Sequence, residues 1–221
     1  MSEATLSAGL SEAFPGRECA LCPRLAAFRS AQRTAHPDWF NAPVPSFGPD
    51  SAELLIVGLA PGLRGANRTG RPFTGDYAGD LLYSSLLKFG FAVGDYGAYP
   101  QDGLELRRAR ITNAVRCVPP QNRPEPAEIL ACGRFLGAEL TRLPRLRAIL
   151  ALGAIAHNAV LAANGLKRAP YPFAHGAMHE LPGGTVLADS YHCSRLNTNT
   201  GRLTPAMFEA VISRLREQLS P

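Results

Sequence analysis

The chain has 221 residues, 46% of them hydrophobic and 19% charged, with a formal net charge of +5 and a pI near 9.2. That length suits one α/β domain with a real core, and the composition argues against wholesale disorder and against a membrane span. The basic excess is almost all arginine, Lys88 and Lys167 being the two lysines, which fits a polyanion such as DNA and equally fits GC-rich codon usage.

The first residues, MSEATLSAGLSEAF, lack a basic start and an apolar block, so no secretory signal and a cytoplasmic location are expected. Residues 1–50 or so read as an appendage: a short helix near Leu6–Phe14, the pair Cys19 and Cys22, then a loop rich in proline and aromatics. Glu53–Leu59 is a short apolar run that reads as a buried strand, followed by a glycine-rich loop to Asp76. Tyr77–Phe89 has leucines at helical spacing, and Arg110–Val115 reads as a second strand. Glu125–Leu143 is a helix opened by Pro124 and Pro126. A third strand at Leu146–Leu152, a helix over Ala154–Ala163, a fourth strand at Thr185–Ala188 and a helix from Thr204-Pro205 to about Leu219 complete the pattern. Strands alternating with helices predict a three-layer α/β/α domain, residues 1–221 with the cysteine-bearing arm included, around a mainly parallel four-stranded sheet. Ligands of such sheets sit at the carboxyl ends of the strands, where the loops after Leu59, Val115 and Ala188 would meet.

Cys19 and Cys22 form a C-x2-C pair, and Cys117 and Cys132 complete a set of four thiols. In a reducing cytosol such a set reads as metal ligands, and its spacing suits zinc or an iron–sulfur cluster alike. A redox pair and four small buried side chains are the other readings. Cys193 lies in a different loop and is left out of the set.

The glycine-rich loop, GLAPGLRGANRTGRPFTGD from Gly58 to Asp76, lets backbone amides approach a ligand closely. It lacks the ending of a nucleotide-binding P-loop. Phe73 could be core or a platform on which an extruded base stacks. Arg64, Arg68 and Arg71 could bind phosphates or lie in a solvated loop. Asp76 stands where a helix N-cap is expected, and Asp80 reads as a surface or capping residue.

This loop, together with TNAVRCVPPQNRP and YHCSRLNTNTGRLT, closely resembles the family 5 (type b) uracil-DNA glycosylases, prokaryotic members of the uracil-DNA glycosylase superfamily. The resemblance runs from the Cys19 pair to about Thr204. It implies a single α/β/α domain and a [4Fe–4S] cluster on Cys19, Cys22, Cys117 and Cys132. Other branches carry a water-directing polar residue early in the first motif, where this chain has the apolar Gly58-Leu59-Ala60 of a substrate pocket, and they close on His-Pro-Ser where this chain has His192-Cys193-Ser194.

The implied reaction is hydrolysis of the N-glycosidic bond of uracil, and of other deaminated bases such as hypoxanthine and xanthine, leaving an abasic site for base excision repair. Charge on the leaving base and on the sugar must both be stabilised. Within the resemblance His192 hydrogen-bonds the base O2, Asp76 supplies the carboxylate that orients a water or stabilises the sugar cation, and Phe73 stacks on the base. Asn113 can pair with O4 and N3 of uracil, and Asn122 competes for that work or serves the water. Arg195 or Leu196 fills the space the base leaves, and Ser194, Thr198 and Thr200 hold phosphates. Neither lysine lies in these motifs, so a Schiff-base lyase step is not expected. A monomer acting on damaged DNA is expected. A lesion-binding module without catalysis and an iron–sulfur electron carrier are the competing functions.

Overall fold

The structure is a computed structural model that describes residues 14–220. The helix expected near Leu6–Phe14 lies outside the described residues apart from Phe14. Two strands open the sheet proper, β1 (Leu54–Gly58) and, after a short hairpin of β2 (Ala92–Val93) and β3 (Glu105–Leu106), β4 (Ala109–Asn113). They are followed by β5 (Ala148–Leu152), β6 (Met178–Glu180) and β7 (Val186–Ser190). The main sheet has five strands in the order β4-β1-β5-β7-β6. The four expected strands pair in parallel, and β6 joins β7 as an antiparallel edge. The expected count of four is thus corrected to five. β6 is three residues long and only half-buried, so it carries no apolar run to announce it.

β1, β4 and β5 are buried along their whole length, as a sheet covered on both faces requires. Side chains alternate between the faces. Leu54, Ile56, Leu150 and Ala188 pack with Leu82, Leu86, Phe208 and Ile212, on helices α3 (Tyr77–Lys88) and α7 (Pro205–Gln218). Leu55, Val57, Ile149 and Leu187 pack with Leu136 and Val160, on α4 (Pro126–Arg142) and α5 (Ala154–Ala163). The three layers are those the alternating pattern predicts. None of the described helices is long and apolar enough to cross a membrane.

The segment after Cys22 is helix α1 (Pro23–Ala35) rather than a loop, and a single helical turn, α2 (Ala66–Thr69), lies within the loop after β1. Only Leu25 and Arg29 are buried along it, so it has no apolar stripe, and Pro23 at its first turn reads as a loop residue when met in isolation. Arg24 fastens it to α4, donating from Nε and Nη2 to the two carboxylate oxygens of Glu128 at 2.8 and 2.7 Å. Glu128 also accepts from the Glu125 backbone N–H at 2.7 Å, closing the first turn of α4.

Behind β4 lies a buried charge cluster. Glu139 of α4 accepts from Arg110 Nε at 2.7 Å, from Thr112 Oγ1 at 2.9 Å and from Arg116 Nη2. Arg116 Nη1 donates to Ser46 Oγ at 2.7 Å, tying in the segment before β1. Burial works to raise the Glu139 pKa, but the two guanidiniums outweigh it and hold the carboxyl below its ordinary value. Removing one member of such a cluster leaves uncompensated charge in the interior. Glu139→Gln is therefore expected to cost about 3–5 kcal/mol in urea-induced unfolding, and a loss below about 1 kcal/mol would rule out this role for the cluster.

Candidate active site

The register places Gly58 beside Asn113 and Leu152 beside Ser190, so the parallel strands end level. Above that edge lies a cavity of about 370 Å³. It is built at three strand ends: Leu59, Ala60, Phe73 and Asp76 after β1, Asn113 at the end of β4 with Asn122 beyond it, and His192, Ser194 and Arg195 after β7. A larger cavity, about 650 Å³, lies between α4 and α5, but no carboxylate, histidine or cysteine lines it. The chemistry gathers in the smaller one.

Asp76 occupies the N-cap position of α3, yet its side chain makes no cap hydrogen bond. Its Oδ2 is drawn instead toward two glycines: a methyl on Gly65 would stand 2.3 Å from that oxygen, and one on Gly62 2.9 Å. Oδ1 is buried without any hydrogen-bond partner. Burial raises the Asp76 pKa, the amides that open α3 pulling the other way. Asp80, one turn on, is exposed, as expected.

Asn113 is buried at the end of β4, and its Oδ1 has no partner either. Gly58 does not line the cavity, which corrects its assignment to the substrate. It clears room behind it, for a methyl there would lie 2.4 Å from Asn113 Oδ1 and 2.6 Å from Phe73 Cζ. Phe73 is buried in a left-handed backbone conformation, φ 53°. Its ring and that of His192 lie 5.8 Å apart between centroids at 29°. Burial pushes the His192 pKa down to about 4, so the imidazole is neutral at neutral pH. Asn122 is exposed at the mouth, also left-handed at φ 55°.

Arg64 and Arg68 are exposed and make no ion pair among the described residues. Arg71 is not a phosphate ligand. Its guanidinium is buried and bidentate to Asp102, at 2.8 and 2.6 Å. Ser194 caps the short helix α6 (Arg195–Asn199) by accepting from the Asn197 N–H, while the hydroxyls of Thr198 and Thr200 donate to carbonyls of the same segment, so those two donors are spent locally. Leu196 projects at 72% exposure, the posture a wedge requires. Tyr77, which went unnoticed in the sequence, lines the cavity beside Asp76, with the Arg195 guanidinium 5.8 Å from its ring centroid.

Cys19, Cys22, Cys117 and Cys132 line one small cavity between α1, the loop after β4 and α4, and all are free thiols. Arg29 Nη1 donates to Cys117 Sγ at 3.1 Å and the Arg116 backbone N–H to Cys132 Sγ at 3.3 Å. Burial pushes the bare Cys117 and Cys132 thiols up to about 12 and about 11. Cys193 is wholly buried elsewhere, in the core beneath His192.

A family model of the uracil DNA glycosylase superfamily matches residues 45–216. The chain is 48% identical over 200 residues to a type-5 uracil-DNA glycosylase of Thermus thermophilus, covering 88% of this chain and 90% of that protein. It is 42% identical over 207 residues to that of Mycobacterium tuberculosis, covering 90% and 77%. To that of Mycobacterium leprae it is 43% identical over 201 residues, covering 87% and 88%. The match runs through all three loops of the cavity. The chain belongs to the type-5 branch of the uracil-DNA glycosylase superfamily, DNA-repair hydrolases that release uracil by cutting its N-glycosidic bond.

Proposed function

We propose that the cavity above the sheet is where a flipped uracil is held and released, with Asp76, Asn113, His192 and Phe73 dividing the work. The observation that carries this reading is a pair of buried oxygens without partners, Asp76 Oδ1 and Asn113 Oδ1, at one cavity. A buried polar atom left unpaired costs stability, so two at one place call for a ligand.

Asn113 offers an amide with its acceptor free, able to take the N3–H of uracil on Oδ1 while Nδ2 donates to O4. Phe73 supplies the flat face on which the base stacks. As the bond from the sugar C1′ to N1 breaks, its electron pair passes to the base, and the neutral His192 donates a hydrogen bond to O2, where that charge collects. The Asp76 carboxylate faces the positive charge left on the sugar and takes a proton from the water that adds to C1′. Uracil leaves as the anion and is protonated in solvent. Asn122, at the mouth, meets the backbone or the incoming water. Arg64, Arg68 and Arg195 meet flanking phosphates, and Leu196 enters the stack behind the extruded base. Neither lysine lines the cavity, which supports a monofunctional enzyme that leaves an abasic site. The apolar floor of Leu59, Ala60 and Pro61 supports acceptance of larger deaminated bases, hypoxanthine and xanthine among them. The same reading has the chain working as a monomer in a prokaryotic cytoplasm.

The four thiols fit a [4Fe–4S] cluster. All four cysteines line one small cavity. N–H donors on two of the sulfurs suit thiolate ligands, and the choice of a cluster over zinc is the one the family resemblance implies. When bound, the cluster would supply no step of the reaction; Cys19 and Cys22 on the arm and Cys117 and Cys132 on the core would be clipped together by it.

Because Asp76 must be ionised and His192 is already neutral, the single-turnover rate is expected to rise with pH through a carboxyl pKa above the ordinary value and then level off. Asp76→Asn should lower the plateau by about 10²–10⁴-fold and flatten that acid limb. His192→Ala should cost about 10²–10³-fold. Unchanged rates in both variants would refute the assignment. Protein purified without air should carry about four iron and four sulfide per chain. Cys117→Ala should lose both along with stability, whereas a zinc-loaded, iron-free preparation would overturn the cluster.

A further inference from the structure

The guanidinium of Arg71 sits inside the protein, 5.1, 5.5 and 5.9 Å from the ring centroids of Phe47, Tyr83 and Tyr96. Its partner Asp102 belongs to the long loop between β2 and β3. That carboxylate also accepts the backbone N–H groups of Gly97 and Leu104 at 2.9 and 3.0 Å, so it organises its own loop as it grips the arginine. Contacts from this assembly converge on three consecutive residues. Arg71 Nε donates to Thr74 Oγ1 at 2.7 Å, Tyr83 Oη to the Pro72 carbonyl at 2.6 Å and Tyr96 Oη to the Phe73 carbonyl at 3.1 Å. The middle residue of the three is the one held left-handed. At the same carbonyl Gly79 of α3 leaves no slack, since a methyl there would lie 1.9 Å from the Phe73 carbonyl oxygen and 2.4 Å from the Tyr96 hydroxyl.

A phenylalanine does not hold a positive φ unaided; such a conformation is strained and persists only where its surroundings over-determine it. A buried ion pair is in turn a poor device for stability alone, since apolar residues of equal volume often serve as well. Both features are accounted for together if the pair exists to hold the aromatic. We infer that Arg71 and Asp102, with Tyr96, are positioning residues for uracil excision: they brace the 72–74 turn from behind and fix the angle at which Phe73 presents its ring to the flipped base. The β2–β3 loop, which contributes no side chain to the cavity, thereby acts on the reaction through Phe73. The inference rests on Phe73 being the base platform.

The test is single-turnover release of uracil from a duplex at saturating enzyme, beside the affinity for the same duplex without uracil. Three variants are compared: Asp102→Asn, which keeps the shape and removes the charge, Phe73→Leu, and the two together. Asp102→Asn is expected to slow release about tenfold or more, as misplacement at a distance from the chemistry does. Affinity for undamaged DNA should be unchanged. On the Phe73→Leu background the same substitution should add less than about twofold, because residues acting through one group are not additive. A release rate for Asp102→Asn within about twofold of the parent, or full multiplication of the two losses in the double variant, would overturn the brace while leaving the platform intact. A normal rate for Phe73→Leu would remove the platform, and the brace with it. If Asp102→Asn fails to fold, Tyr96→Phe serves in its place, since it deletes only the hydroxyl on the Phe73 carbonyl, and the same outcomes apply.

Discussion

Glu139 is one carboxylate on the inner face of α4, and much of the molecule is arranged around its charge. Arg110 and Arg116 reach it from either side of Asn113, so the end of β4 is clamped on both flanks of the residue that faces the cavity. Through Arg116 the clamp extends to Ser46 in one direction and, by its backbone N–H, to the sulfur of Cys132 in the other. The arm before β1, the strand that carries Asn113 and the cysteine cavity are thus placed by a single buried negative charge. In a low-dielectric interior such a cluster has few alternative arrangements, because Glu139 is the carboxylate that both guanidiniums share.

The site follows a complementary rule. Around it, polar groups are satisfied: Arg71 by Asp102, Thr74 by Arg71, Thr198 and Thr200 by carbonyls of their own short helix. At its centre Asp76 and Asn113 each keep an oxygen in reserve. The glycines make that reserve possible. Gly62 and Gly65 leave the room that the Asp76 carboxylate occupies, and Gly58 lets Asn113 and Phe73 stand side by side at the sheet edge. Burial then tunes the two titrating groups in the directions the reaction needs, the carboxyl toward a stronger base and the imidazole toward neutrality.

Much of this was legible in the sequence. The apolar runs at Glu53–Leu59 and Leu146–Leu152 announced buried parallel strands, and the loop from Gly58 to Asp76 announced a ligand. What was hidden depended on partners remote in the chain. Arg71 in a glycine-rich loop has every mark of a solvated phosphate ligand, and only folding brings Asp102, in another loop, against it. The N-cap position of Asp76 was read correctly, but its capping bond was not, because the competing space is made by glycines eleven and fourteen residues earlier. Helix α1 escaped notice because a helix that buries only Leu25 and Arg29 leaves no periodic trace.

The segment around Phe47 has one more consequence. It exchanges a pair of backbone hydrogen bonds with Ile111, at 2.9 and 2.8 Å, and so covers the outer edge of β4. At the other end of the sheet the last strand is only three residues long. Neither margin offers another chain a long template for strand addition. This guards against self-association, and part of that guard is a segment whose placement depends on the Ser46–Arg116–Glu139 chain of contacts. A lesion that loosens the arm would therefore bare the unpaired backbone margin of β4 before the core itself gave way, and its first symptom would be self-association rather than lost catalysis.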